Sequence, residues 1–149
     1  PWFKCNMTDV VAALGLIQFE RYPEMLTKRK KMIEKMDAAF ADINVTVLNH
    51  YGKNHASSGH LYIVRLLGKT REQTNKIIEM MAERGIATNV HYKPLPMMTA
   101  YKKMGFDIKD FPNAYHMFEN EITLPLNTKM TMEDVDYVIA DFVDIVKSF

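Results

Sequence analysis

His60-Leu61-Tyr62-Ile63-Val64-Arg65-Leu66, followed closely by Thr70-Arg71-Glu72-Gln73, is the stretch on which the fold turns. Its first part is rich in β-branched, aromatic and aliphatic residues and follows a polar run, which predicts a strand. Its second part has threonine at an N-cap position and glutamine three residues on, a reciprocal pairing that satisfies two free donors at a helix start. A helix is therefore expected from Arg71, with Ile77, Ile78 and Met81 inward and Gly85 as its stop.

Reading outward from there, Val45-Thr46-Val47-Leu48 predicts a short strand and the polar Asn49 to Ser58 a loop. Further upstream, Thr8 is an N-cap candidate and Asp9 suits the positive end of a helix dipole. Val10, Leu14, Ile17 and Phe19 approximate an apolar stripe, with Val11 as a second edge. Pro23 is expected to end or kink that helix near Tyr22. A second helix is expected over Glu24 to Ala41, with Met25, Leu26, Met32, Ile33, Met36 and Phe40 inward.

Downstream, Ile86 to Tyr92 reads as an alternating strand ended by Pro94 and Pro96. Alternation sets Ala87, Asn89 and His91 on one face and Ile86, Thr88, Val90 and Tyr92 on the other. A short helix is expected over Met97 to Met104 and another from Pro112 to about Glu119. Ile122 to Leu126 predicts a strand, and Thr131 a cap for a last helix with Val135, Val138, Ile139, Phe142 and Val146 on one face. The order α-α-β-β-α-β-α-α-β-α predicts an α/β (α+β) two-layer sandwich, with helices on one face of a small, mostly antiparallel sheet. With so few strands, a doubly wound nucleotide-binding fold is not expected.

The chain has 149 residues, 48% of them hydrophobic and 25% charged, which fits a single globular domain over 1–149. The net charge of +1 argues against a dedicated nucleic-acid binder. A lone cysteine, Cys5, excludes an internal disulfide framework and is read as a structural thiol. No apolar run approaches a membrane span. The opening Pro1-Trp2-Phe3-Lys4-Cys5 has no initiator Met and no targeting segment, and its early aromatics are expected of a piece of a longer polypeptide.

The basic run Lys28-Arg29-Lys30-Lys31, extended by Lys35, would grip phosphate or direct nuclear import on one reading. With Glu24 and Glu34 interleaved and no glycine-rich loop beside it, it is read instead as a solvated helix face. The histidines His50, His55 and His60 do not share a helical face and have no thiolate or nearby carboxylate set, so no metal site is expected. His50 and His55 are expected to be exposed in the polar loop. The sequence lacks G-x-S-x-G, P-loop, G-x-G-x-x-G and H-E-x-x-H patterns.

Two segments stand above this background. Lys4 to Asp9 approaches a helix N-terminus, where the Asn6 amide either contacts an anion or closes the turn. His91-Tyr92-Lys93-Pro94-Leu95-Pro96 puts a histidine at a strand end before a proline-stiffened loop that would lose little entropy on binding. His91 there either meets a polar ligand or is partly buried and bonded to backbone.

Asn6 to Arg21 resembles the segment that follows the active-site lysine in the DegT/DnrJ/EryC1/StrS family of pyridoxal-phosphate-dependent sugar aminotransferases. The resemblance continues in order through His60 to Leu66, Gly85 to Leu95, Leu124-Pro125-Leu126 and Tyr137-Val138-Ile139. It implies the C-terminal small domain of a fold-type I enzyme, with residues 1–41 a helical connection from a large cofactor-binding domain upstream. The Schiff-base lysine, the carboxylate partner of the pyridinium and the ring-stacking residue would all lie in that upstream domain, so no catalytic residue is assigned here and the isolated piece is expected to be inactive.

The resemblance further implies that Asn6 reaches across a homodimer interface to the phosphate of pyridoxal 5'-phosphate, and that His91 and Tyr92 line a nucleotide-sugar pocket. A keto-sugar nucleotide substrate, glutamate as amino donor, a role in cell-surface polysaccharide biosynthesis and a cytoplasmic location follow from it. The sequence departs from the family at Val11, where many members have Gln, and at Pro96, where many have His. Some members carry Arg at the position of Asn6. The alternatives are a dehydratase of the same family, in which the lysine is exchanged for His, and a stand-alone binding or dimerisation module.

Overall fold

The computed structural model describes residues 6–149. Trp2, Phe3, Lys4 and Cys5, singled out above, lie outside the described residues. A three-stranded antiparallel sheet has the order β1 (Val45–Val47), β4 (Tyr62–Leu66), β5 (Glu121–Leu124), and β2 (Tyr51–Gly52) pairs with β3 (His55–Ala56) in a separate hairpin. In register, Tyr62 faces Leu124 and Val64 faces Ile122, so these four point the same way, while Ile63 with Thr123 and Arg65 with Glu121 point the other. The first set packs with Leu66 into the core against Met32, Ile33, Met36 and Phe40 of α1 (Asp9–Phe40), Ile77 and Met81 of α2 (Arg71–Glu83), and Val135, Val138, Phe142 and Ile145 of α5 (Met132–Ser148). The expected sandwich, with helices layered on one face of a small antiparallel sheet, is the architecture observed.

The capping arguments hold at both main helices. Thr70 accepts from the Gln73 amide at 3.3 Å and the Gln73 side chain accepts from the Thr70 amide at 3.0 Å. Thr131 and Asp134 form the same box at 3.1 and 2.7 Å. Gly85 follows α2 with φ +73°, a conformation that favours glycine. Pro112 opens α4 (Pro112–Glu119), and the short α3 (Thr99–Lys103) follows a 3₁₀ turn at Leu95–Met97.

Four expectations are corrected. Pro23 does not end a helix: α1 runs unbroken from Asp9 to Phe40 with the proline inside it. Proline removes one hydrogen bond, at about 3 kcal/mol, and the long helical sequence on both sides carries the chain through that loss. Second, Val10, Leu14, Ile17 and Phe19 are not covered by any described residue and remain exposed. Third, Asn49 to Ser58 is not simply a loop but holds the β2–β3 hairpin. Its histidines differ: His55 is exposed, whereas His50 is buried and stacked on the Tyr62 ring at 5.8 Å.

The fourth correction concerns Ile86 to Tyr92, which is not a strand. It makes a single bridge to β5, in which Asn89 and Thr123 exchange both backbone hydrogen bonds, at 3.1 and 2.7 Å. The next antiparallel pair would join His91 to the Glu121 carbonyl. That carbonyl accepts from Arg71 Nη1 at 3.3 Å instead, and the His91 amide donates to the Glu121 side chain. A side chain has replaced the ladder.

The basic run ties α1 to its surroundings. Lys28 donates to the Thr128 carbonyl at 2.6 Å, Arg29 to the Ser58 carbonyl at 3.2 Å, and Lys35 pairs with Asp136. These contacts belong to packing of the fold.

Candidate active-site face

On the sheet face turned away from the helical core, β5 presents Glu121 and Thr123, and segment 86–92 lies along its edge. Both residues are nearly inaccessible, at 4% and 5% exposure. A buried carboxyl group must have hydrogen-bond partners. Glu121 Oε2 accepts from the His91 amide at 3.0 Å and Oε1 accepts from the Thr123 hydroxyl at 2.6 Å. The Thr123 oxygen lies 2.9 Å from His91 Nδ1. Backbone and ring of His91 are thus both fixed by one β5 carboxyl group, directly and through one hydroxyl.

His91, Asn89 and Ala87 all line a cavity of about 180 Å³, as the alternation argument placed them on one side. Thr123 of β5, His60 and Leu61 just before β4, and Leu124-Pro125-Leu126 at the end of β5 complete its wall. Tyr92 leaves in another direction, its ring 4.7 Å from His91 and nearly perpendicular to it. It borders an apolar hollow of about 430 Å³ formed with Pro94, Leu95, Pro96, Tyr101, Phe106, Phe111 and Ala114. His91 and Tyr92 therefore sit on the divide between a cavity of mixed lining and an aromatic one.

Asn6 lies elsewhere, exposed on the approach to α1, where Thr8 caps the Val11 amide at 3.4 Å. Among the described residues its side chain makes no hydrogen bond and has none to His91 or Tyr92. The structure thus brings together two of the three candidate residues. Among the described residues no group of three or more His, Cys, Asp or Glu is placed to hold a metal ion, and no helix is long and apolar enough to cross a membrane.

Sequence reasoning missed Glu121, since the strand there was expected to begin at Ile122, and gave Thr123, inside that strand, no role. The available signal was a carboxyl residue and a threonine alternating with the buried Ile122 and Leu124. Such a pattern on a β-strand buried on both faces demands polar partners for the second face.

The architecture is that of sugar aminotransferase structures. Spr1654 from Streptococcus pneumoniae, provisionally named a sugar aminotransferase and solved in apo, PMP and PLP forms, is 50% identical, with TM-scores of 0.94 to 0.95. In the PLP form the match covers 99% of this chain and 38% of that one. PseC from Helicobacter pylori, an aminotransferase involved in pseudoaminic acid biosynthesis, is 27% identical with a TM-score of 0.84, over 97% of this chain and 38% of that one. Among curated proteins, the spore coat polysaccharide biosynthesis protein SpsC of Bacillus subtilis is 36% identical over 99% of this chain and 39% of its own length. The uncharacterized protein MJ1066 of Methanocaldococcus jannaschii is 33% identical over 92% of this chain and 36% of its own length. The model of the DegT/DnrJ/EryC1/StrS aminotransferase family matches residues 2–143, and this chain belongs to that family. It spans well under half the length of the curated relatives it matches.

Proposed function

We propose that this chain is the C-terminal small domain, 1–149, of a pyridoxal-phosphate-dependent aminotransferase acting on a keto-sugar nucleotide, with glutamate as amino donor. One observation carries the reading: segments far apart in sequence, at His60-Leu61, Ala87 to His91 and Leu124 to Leu126, converge on a single cavity beside two fixed polar side chains. These are the blocks by which the chain resembles its family. At about 180 Å³ the cavity is smaller than the ~300–1,000 Å³ of complete small-molecule sites. It fits a portion of a nucleotide sugar, the remainder being held by residues beyond this chain.

The described residues fit the edge of the cofactor rather than a full cradle. No lysine lines the His91 cavity, and Asn6 offers one exposed amide donor. In this reading Asn6 donates to the cofactor phosphate across a homodimer interface, and residues 1–41 connect to the large domain that holds the rest. When bound, the cofactor supplies the electron sink for amino-group transfer. His91 and Tyr92 orient the sugar nucleotide and cover it from water. The setting is cytoplasmic synthesis of a cell-surface polysaccharide, a reading supported by the spore coat polysaccharide role of SpsC.

The test uses the protein expressed from its native reading frame. Asn6→Ala is expected to lose bound cofactor on dialysis, read as its visible absorbance. His91→Ala is expected to raise KM for the nucleotide sugar about tenfold, the worth of one hydrogen bond, with kcat little changed. Full cofactor retention would remove the role of Asn6, and unchanged sugar kinetics that of His91.

A further inference from the structure

We infer that Glu121, acting through Thr123, locks His91 in its Nδ1–H tautomer, so that Nε2 is presented as a bare acceptor that selects a hydrogen-bond donor on the ligand. The argument follows the protons. The Glu121 carboxyl group receives the His91 amide at 3.0 Å on one oxygen and the Thr123 hydroxyl at 2.6 Å on the other. A backbone N–H can only donate, and threonine has a single hydroxyl proton, here committed to Glu121. Toward His91 Nδ1, at 2.9 Å, the Thr123 oxygen therefore has only a lone pair to offer. The proton of that bond must come from the imidazole. In a neutral ring, a proton on Nδ1 leaves Nε2 without one.

Nε2 has no hydrogen-bond partner among the described residues, and the ring it belongs to lines the cavity at the end of β5. A lone pair there accepts from a hydroxyl or N–H and repels a carbonyl or phosphate oxygen. The group selected is thus a sugar hydroxyl rather than the keto oxygen or the diphosphate. This choice of ligand atom rests on the function proposed above, whereas the tautomer rests on geometry alone. Glu121 and Thr123 are positioning residues; neither needs to touch the substrate.

The experiment is NMR of the protein expressed from its native reading frame, labelled with ring-¹³C,¹⁵N histidine, in mildly alkaline buffer where an ordinary imidazole is neutral. His91 is assigned by its loss in His91→Asn. The expected spectrum shows its Nδ1 as the protonated nitrogen, with Cδ2 shifted downfield. Thr123→Ser keeps the hydroxyl and should keep that signature. Glu121→Gln should invert it: the Gln oxygen is needed by the His91 amide, its NH₂ group then donates to Thr123, and the hydroxyl turns to donate to Nδ1. Nε2–H in the parent protein, or an unchanged tautomer in a folded Glu121→Gln, would overturn the inference. Kinetics separate it from the function itself. Thr123→Val should raise KM for the nucleotide sugar about tenfold with kcat nearly constant, and Thr123→Ser should restore it. A locked tautomer with no turnover of any keto-sugar nucleotide would sink the proposed function and leave the lock standing.

Discussion

Glu121→Ala tests how much the fold depends on the side chain that replaces a strand ladder. At 4% exposure, the carboxyl group accepts two hydrogen bonds, from the His91 amide and the Thr123 hydroxyl. Truncation leaves both donors facing a space that no other acceptor is seen to fill. A buried donor left unsatisfied costs about 1–3 kcal/mol. The Thr123 hydroxyl recovers its partner by turning toward His91 Nδ1, while the His91 amide does not. The net expectation, for one donor left unsatisfied, is a loss of about 1–3 kcal/mol. Glu121→Gln keeps an acceptor for the amide and a donor for Thr123, and should cost less than about 1 kcal/mol by the same accounting. Urea unfolding should show the Ala variant with a lowered midpoint and an unchanged slope, since the surface exposed on unfolding is the same. Amide hydrogen exchange adds a local readout, because the His91 N–H should be protected in the parent protein and fast in Glu121→Ala. Equal stability of the Ala and Gln variants, or a His91 amide that exchanges equally in both, would show that the carboxyl group does not hold this segment.

Pro23→Ala restores a donor to the Phe19 carbonyl inside α1 and should stabilise the protein by about 1–3 kcal/mol, with more helical far-ultraviolet ellipticity; a loss of stability would mean that the proline ring itself is required by packing. His50 is buried against Tyr62, and burial lowers its pKa below 6.5, with the nearby Asp37 opposing the shift. Its folded-state value is depressed, so below 6.5 the unfolded chain binds the proton first. The corresponding stability is complete above that pH and is lost as pH falls through the folded value. His50→Phe should flatten the dependence of Tm on pH over that range, and parallel curves for the two proteins would rule the explanation out.

Elements governed by local chemistry were legible in the sequence. Thr70 with Gln73 marks one helix start within four residues of chain and the Thr131 cap marks another, and the structure places both as expected. The strand at Tyr62–Leu66 follows from its own side chains. What could not be read locally depended on distant partners. Segment 86–92 alternates like a strand, yet its pairing is cut short by a carboxyl group some thirty residues later in the chain. His50 looks like a loop residue until Tyr62 is brought beneath it. At the candidate site, His91 and Tyr92 were marked by their proline-stiffened loop, and Ala87, Asn89 and His91 do share a wall. Glu121 and Thr123 stayed silent because their meaning depends on which segment crosses β5.

The uninterrupted α1 has a mechanical consequence. Its 32 residues span about 48 Å, against a radius of gyration of about 15 Å expected for a compact chain of this length. The portion before Pro23 is a rod of about 21 Å, built on the 1.5 Å rise per residue, with Asn6 just beyond its tip. Proline is a common site of helix bending, and a bend of about ten degrees at Pro23 would move that tip by about 4 Å, more than the length of a hydrogen bond. The position of Asn6 is therefore set far from Asn6, by a proline near the middle of the lever, on a stretch where Val10, Leu14 and Ile17 are exposed.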